Sequence, residues 1–362
     1  MTPHALTDHA HLKAHDPHDM IGAILGLPEQ FAEAKRVALA ADLGALKGKR
    51  FGSVVIAGLG GSAIGGDLLR AVFEPVLKCP VVVVRDYDLP GFVGPDTLVV
   101  ASSNSGNTEE TLSAYGQARK AGASILAATT GGKLDSLTEA DGVPCIALPV
   151  TGLQPRAAVG YSFVPLVVAF SRVGLLPDSV LGDIDEAVTV LGTVRTECGP
   201  DIPVESNLAK CLANAWLGKI PFIYGSQGER GVVAYRWKTQ ISENAKALAV
   251  ANVFPELNHN ETVGWSGTHG QAEVEKHLTV TLLRDSTEPS HIVRRVELTK
   301  ELLADRHVHI DEVWAKGKSA LARMFSLVYV GDFASCYLAL AYGEDPTPVA
   351  AIDWLKKQLA KI

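Results

Sequence analysis

The residues best suited to chemistry fall first in two loops. After the apolar run Ser53–Ala57 the chain reads Gly58-Leu59-Gly60-Gly61-Ser62-Ala63-Ile64-Gly65-Gly66-Asp67, and after Thr97–Ala101 it reads Ser102-Ser103-Asn104-Ser105-Gly106-Asn107-Thr108-Glu109-Glu110. Glycines let a backbone approach a ligand closely, and N–H groups at a helix start favour an anion or a sugar hydroxyl. Ser103, Ser105 and Thr108 add hydroxyls to such a helix start, a neutral cradle that can hold a phosphate without a lysine. The plainer readings are a tight turn or dinucleotide fingerprint for the first loop and a Ser/Asn capping turn for the second. The fingerprint spacing fails, because Ala63 stands where the third glycine belongs, and no Gly-Lys-Ser/Thr follows to make a nucleotide P-loop. Capping contributes to the second loop, but one cap does not require three hydroxyls so spaced.

Two later segments carry groups that could move protons. Arg236-Trp237-Lys238-Thr239-Gln240-Ile241-Ser242-Glu243-Asn244-Ala245-Lys246 has helical pattern, and Pro255-Glu256-Leu257-Asn258-His259-Asn260-Glu261 is poor strand and poor helix material and so is expected to be a loop. The first segment reads equally well as a solvated helix face with Glu243 paired to Lys246. The second, dense in hydrogen-bonding side chains, is the kind of loop on which catalytic groups are placed.

These segments need elements to hold them. Residues 1–50 have apolar positions at helical spacing around Pro28 and are expected to pack beside the core. From Phe51 short β-branched runs alternate with helix-length segments: Ser53–Ala57, Val81–Arg85, Thr97–Ala101, Ser124–Ala128 and Val143–Leu148. That alternation predicts a parallel sheet covered on both faces over residues 51–176. An apolar helix begins near Tyr161, and helical pattern from Ser179 to Thr196 makes residues 177–200 a connection. A second series fills 201–362: a strand over Ile220–Tyr224, a helix over Arg230–Leu248, strands over Leu278–Arg284 and His307–Ile310, and a long apolar helix over Lys316–Tyr342. The fold class is therefore α/β, with two related doubly wound units in tandem.

Composition narrows the function classes. Five cysteines, widely spaced and never in C-x-x-C pairs, argue against a disulfide framework or structural zinc, and for a reducing cytoplasmic location. His4, His9, His11, His15 and His18 have no ligand spacing and read as a solvated terminal segment, so no metal is assigned. No signal sequence is apparent, and no apolar run reaches the ~18 residues of a membrane span. A net charge of -7 without basic blocks gives no general attraction for nucleic acid, so an anionic ligand must be held by local donors.

The pair Gly-Leu-Gly-Gly-Ser and Ser-Asn-Ser-Gly-Asn-Thr resembles the sugar isomerase (SIS) domain, a three-layer α/β/α phosphosugar-binding unit also found in regulators and amidotransferases. With the segments around Glu243 and His259, Asp19-Met20, Pro28-Glu29-Gln30, Gln154-Pro155-Arg156-Ala157 and the stretch from Pro346 to Leu359, the resemblance extends over nearly the whole chain, to the bifunctional phosphoglucose/phosphomannose isomerase family. It implies two tandem SIS domains and aldose–ketose isomerisation of glucose 6-phosphate, and of mannose 6-phosphate, through a cis-enediolate. Gly60, Gly61 and Ser62 would lie near the sugar, and Ser103, Ser105 and Thr108 at the phosphate. Arg156 would stabilise the enediolate and Glu243 would be the base. His259, from the other subunit of a homodimer, would open the ring with a lysine of the C-terminal helix, taken as Lys356, although Lys357 is adjacent. Thr347 is a further candidate for the latitude at C2. No cofactor is implied. Asn104 departs from the family, which often carries an aromatic residue there. The competing readings are a non-catalytic phosphosugar sensor and a related aminosugar-phosphate isomerase; a sensor would need a nucleic-acid module that residues 1–50 do not resemble.

Overall fold

Five short strands, β1 (Ser53–Ala57), β2 (Val81–Val84), β3 (Thr97–Ser102), β4 (Ser124–Thr129) and β5 (Cys145–Ala147), pair in parallel in the order β2-β1-β3-β4-β5. The computed structural model describes residues 6–267, 271–306, 308–359 and 361. Every residue of β3 is buried, as expected of a central strand with helices on both faces. On one face Val55, Val99 and Ala101 pack with Tyr115, Ala118 and Leu134 from the helices Glu109–Lys120 and Gly132–Asp141. On the other, Ile56 packs on the helix Gly60–Phe73, which in turn lies against Val159–Arg172. These are the three layers that the sequence implied.

Four more strands, β6 (Ile220–Ser226), β7 (Val250–Phe254), β8 (Leu278–Arg284) and β9 (His309–Trp314), form a second parallel sheet in the order β7-β6-β8-β9. In each sheet the second strand lies to one side of the first and the third to the other. Ligand crevices of doubly wound sheets open at such a reversal, beyond the strands' carboxyl ends. Here those positions are the β1/β3 and β6/β8 ends.

Residues Gly26–Gly192 with Lys316–Phe325 make the first unit, and Met1–Leu25, Thr193–Ala315 and Ser326–Ile362 the second. Sequence pattern drew continuous spans, with boundaries after 50, 176 and 200, whereas the units are discontinuous. In the first unit the buried rings of Phe31, Phe163 and Phe325 meet with centroids 4.6 to 6.2 Å apart, so residue 325 packs far from its sequence neighbours. In the second, His11 Nε2 lies 2.8 Å from the carbonyl of Leu340.

Several details differ from the sequence reading: the last strand runs His309–Trp314 where one was expected over 307–310, and the long apolar helix begins at Ala320, four residues later than expected. The helix expected over Arg230–Leu248 ends at Ala245, and β7 follows where no strand was expected. The segment expected to be a loop after Pro255 contains a 3₁₀ turn, Glu256–His259, and a short helix, Glu261–Gly264. The helix Ala320–Tyr342 is long and apolar enough to cross a membrane by composition, unlike the earlier expectation, but its apolar stretch is fully buried in the protein. His4 and His307, named in the sequence reading, lie outside the described residues.

Candidate active site

The ends of β1 and β3 bring both signature loops together. The helix Gly60–Phe73 begins in the first loop; the N–H groups of Ser62 and Ala63 donate to the Leu59 carbonyl at 3.0 and 3.4 Å, and the Leu59 side chain makes no capping bond, so the Gly60 and Gly61 N–H groups are the ones a ligand would meet. Asn104 N–H donates to Ser62 Oγ across the gap at 3.4 Å. A Cβ on Gly61 would stand 2.5 Å from the carbonyl oxygen of Pro155, so only glycine lets the turn Pro155–Ala157 rest on this loop. That contact brings Arg156, 4 % exposed, to the same end of the sheet.

The hydroxyl loop is a braced structure. Ser103 is buried; its Oγ lies 2.8 Å from Thr108 Oγ1 and accepts from Gly106 N–H at 3.1 Å. Ser105 is exposed and accepts from Asn107 N–H at 3.3 Å. Gly106 has φ of +67°, and a Cβ there would lie 1.7 Å from the Gly131 carbonyl, so the loop sits directly on the end of β4. Thr130 Oγ1 donates to the Asn104 carbonyl at 2.6 Å, which supports the loop at that residue. Thr108 begins the helix Glu109–Lys120 without a side-chain capping bond, because its hydroxyl is turned to Ser103.

Sequence reasoning missed the support behind Arg156. Gln30, 4 % exposed on the helix Leu27–Ala40, donates to the Ala157 carbonyl at 2.8 Å, and Tyr161 donates to Glu33 of the same helix at 2.5 Å. Burial, and then the Glu33 carboxylate, push the Tyr161 phenol up, so it stays a donor. Gln30 belongs to a triplet quoted for the family resemblance, the only signal that could have marked it. A cavity of about 10 Å³ among Gly61, Ser62, Asn104, Pro155 and Tyr161 has room for one water. A wider hollow, about 740 Å³, lies elsewhere in this unit between Asp42, Lys47, Arg172 and Asp178. There the Arg172 guanidinium is already bonded to the Ala38 and Ala41 carbonyls, and none of the signature residues lines it.

Glu243 belongs to the second unit. It is half-buried near the end of the helix Glu229–Ala245, whose buried face is pinned to Ala320–Tyr342: Arg236 Nη2 donates to both Asp332 oxygens at 2.8 Å, Gln240 to Asp332 at 2.9 Å, and Asn244 to Ser335 at 3.0 Å. Burial pushes the Asp332 carboxyl up despite the bonds from Arg236 and Gln240. Lys246 closes the helix in a left-handed conformation, φ 53°, and its Nζ donates to the carbonyls of Glu243, Asn244, Asp345 and Pro346. The Glu243 turn is thus tied to the segment that carries Thr347 and leads to Ala350–Leu359. Lys356 and Lys357 are both exposed on that last helix, which has no buried residue, and His259 is exposed on its 3₁₀ turn. The signature loops and Arg156 are therefore gathered in the first unit, and Glu243, His259 and Lys356 in the second.

At the β6/β8 crevice the hydroxyls are turned to neighbouring charges: Ser226 Oγ accepts from Arg230 Nε at 2.6 Å, and Thr287 Oγ1 donates to Asp285 at 2.8 Å. Ion pairs bridge its two loops: Arg230 lies 3.2 Å from Asp285 and 3.6 Å from Glu288, and Arg284 lies 3.0 Å from Glu288. Arg284, Asp285 and Glu288 are buried, so side-chain carboxylates already occupy the cationic groups there.

Compared with known proteins, the chain is 47 % identical over 347 residues to the bifunctional phosphoglucose/phosphomannose isomerase of Caldicellulosiruptor bescii, covering 95 % of this chain and 99 % of the relative. It belongs to the bifunctional phosphoglucose/phosphomannose isomerase family. The member from Thermoplasma volcanium is 38 % identical over 311 residues, covering 86 % of this chain and 92 % of that protein. The model of the bacterial phospho-glucose isomerase C-terminal SIS domain matches residues 205–359. In three dimensions the fold is shared with a hypothetical protein of Thermus thermophilus, TM-score 0.73 at 16 % identity, covering 95 % of this chain and 90 % of that one. Family membership and fold thus agree with two tandem SIS units, and the chain is an isomerase.

Proposed function

We propose that this protein interconverts glucose 6-phosphate and mannose 6-phosphate with fructose 6-phosphate through a common cis-enediolate. The observation that carries the reading is the meeting, at the β1/β3 crevice, of the glycine loop, the hydroxyl loop and the buried Arg156 turn, in a chain whose relatives are named for this activity. The hydroxyls of Ser105 and Thr108, with N–H groups at the helix start, hold the phosphate, and Ser103 braces them. Gly60, Gly61 and Ser62 receive the sugar.

Glu243 takes the proton from C2 of the open aldose and returns it to C1, while the hydroxyl proton passes from O2 to O1; no electrons leave the substrate and no redox partner is needed. Arg156 faces the negative charge that develops on the enediolate oxygens. Mannose 6-phosphate differs at C2 alone and yields the same enediolate, so one base can serve both sugars. His259, with Lys356, moves a proton between the anomeric hydroxyl and the ring oxygen. His259 comes from the partner in a cytoplasmic homodimer, which suits an exposed imidazole that no described residue hydrogen-bonds.

No cofactor enters these steps, and no group of three His, Cys, Asp or Glu among the described residues is arranged to hold a metal ion. A coupled assay of the purified protein with each sugar phosphate, before and after exhaustive chelation, tests the reading. Turnover of both substrates that survives EDTA is expected. Loss with EDTA and recovery with zinc would contradict it, as would binding without turnover or preference for an aminosugar phosphate.

A further inference from the structure

Beside the His259 turn, the second unit holds a clasp built on the buried Tyr224 that the steps above do not use. Tyr224 on β6 and Asn252 on β7 are register partners in adjacent parallel strands. Both reach one carboxylate: Tyr224 donates its hydroxyl to Glu261, and Asn252 Nδ2 donates to the other Glu261 oxygen at 2.5 Å. Trp265 Nε1 in turn donates to the Tyr224 hydroxyl at 3.0 Å. Tyr224 is wholly buried, and burial, then the adjacent Glu261 charge, push its phenol up, so the proton stays on the oxygen that donates.

The residues flanking His259 are fixed from the same base. Leu257 packs into the cluster of Tyr224, Phe254 and Trp265. Asn258 Nδ2 donates to Thr299 at 3.0 Å, and Asn260 Oδ1 accepts the Glu261 N–H at 2.6 Å. Leu257 and Asn258 are thus held beside His259, which is itself exposed, as are Glu256 and Asn260. Glu261, the first residue of the short helix that follows the turn, accepts through its side chain from both β6 and β7.

We infer that Glu261 is the positioning residue for His259, fixing the imidazole's height and direction over the sheet by accepting from Tyr224 and Asn252 at once. This rests on the reading of His259 as the ring-opening group. Glu261→Gln keeps the shape but sets its amide donor against the Asn252 amide donor, so one of the two bonds is lost. Asn252→Asp in the same chain supplies an acceptor and restores that bond with its polarity reversed.

The experiment compares His259→Ala, Glu261→Gln, their combination, and Asn252→Asp/Glu261→Gln. Four quantities are measured: kcat and KM on cyclic glucose 6-phosphate, exchange of the C2 proton on an open-chain aldose phosphate, and the thermal unfolding midpoint. Loss of one charged hydrogen bond leads us to expect kcat on the cyclic sugar about tenfold lower for Glu261→Gln, with KM within about twofold. Exchange on the open-chain compound should stay at the wild-type rate. The substitution should add nothing in the His259→Ala background, and the Asp/Gln pair should recover most of the lost rate. An equal loss with and without His259, or on both substrates, would show that Glu261 acts through something else. No loss in Glu261→Gln would also overturn the inference. If Glu261→Gln does not fold, Tyr224→Phe removes the other donor and carries the same comparisons. Full activity of His259→Ala on the cyclic sugar would remove the premise and the inference together, whereas failure of Glu261→Gln alone leaves the premise standing.

Discussion

Among single residues, the hydroxyl loop separates contact from support. Ser105 is exposed and Thr108 half-buried, so each can give one hydrogen bond to a phosphate; Ser105→Ala or Thr108→Val should raise KM about fivefold, the worth of ~1 kcal/mol, with kcat little changed. Ser103→Ala should act differently, because its buried oxygen accepts from Gly106 N–H and meets Thr108. It should lower the unfolding midpoint as well as raise KM, and calorimetry beside initial rates distinguishes the two cases. For Arg156→Lys the expectation is a fall of about a hundredfold or more in kcat with KM nearly constant, since a lysine point charge cannot reproduce the planar fork against a developing oxyanion. A proportional rise in KM would place Arg156 in ground-state binding. The residue types of this site were legible in the sequence, because glycine, serine and threonine in that order admit few uses. Their supports were not. Gln30 and Tyr161 act through contacts more than a hundred residues apart in the chain, and nothing local signals a hydrogen bond such as Gln30 to Ala157.

The elements show which boundaries a sequence can state. Strands β1 and β8 begin and end where the β-branched runs do, because Gly58 stops one and Asp285 the other. β7 was missed because the helix before it ends on Lys246 in a left-handed conformation, with no glycine or proline to announce the stop. Its alternation is also weak, since four of its five residues are only partly buried. A second element-level feature is the start of Ala320–Tyr342, where Glu186 accepts from the N–H groups of Lys318 at 2.6 Å and Ser319 at 2.9 Å. Burial would push the Glu186 carboxyl up, but the Lys318 and Ser319 hydrogen bonds outweigh it and hold the group below its ordinary value. A depressed carboxyl pKa stabilises the fold above the unfolded value and is lost as pH falls through the folded one. Glu186→Gln should therefore lower the unfolding midpoint by about 2 °C at pH 7, in line with a lost helix cap, and the gap should close as the medium is acidified below the carboxylate range. A gap that is unchanged at low pH would show that the charge is not what holds the cap.

For the whole molecule, two related sheets differ in what fills their crevices. The β1/β3 end offers hydroxyls and N–H groups, whereas the β6/β8 end is closed by Arg230, Arg284, Asp285 and Glu288 on one another. The tandem architecture was readable from strand and helix alternation; the ion-pair closure was not, because Arg230 lies over fifty residues from Arg284, Asp285 and Glu288 and each of the four reads as an ordinary surface charge. One phosphosugar per chain is therefore expected when Glu243→Gln protein is titrated calorimetrically with glucose 6-phosphate, and a stoichiometry of two would show that the second crevice opens. Glu243→Gln and His259→Ala proteins, mixed under conditions that exchange subunits, should regain activity if one site draws on both chains; proven heterodimers without recovery would confine the site to one chain. Whether one base at one site serves both sugars is decided by exchange of the C2 proton with deuterated solvent, followed by NMR for glucose 6-phosphate and mannose 6-phosphate in turn. Glu243→Gln should abolish exchange from both sugars together while still binding each of them. Exchange that persists at the wild-type rate from either one would mean that another residue removes that proton, and that Glu243 is not the shared base.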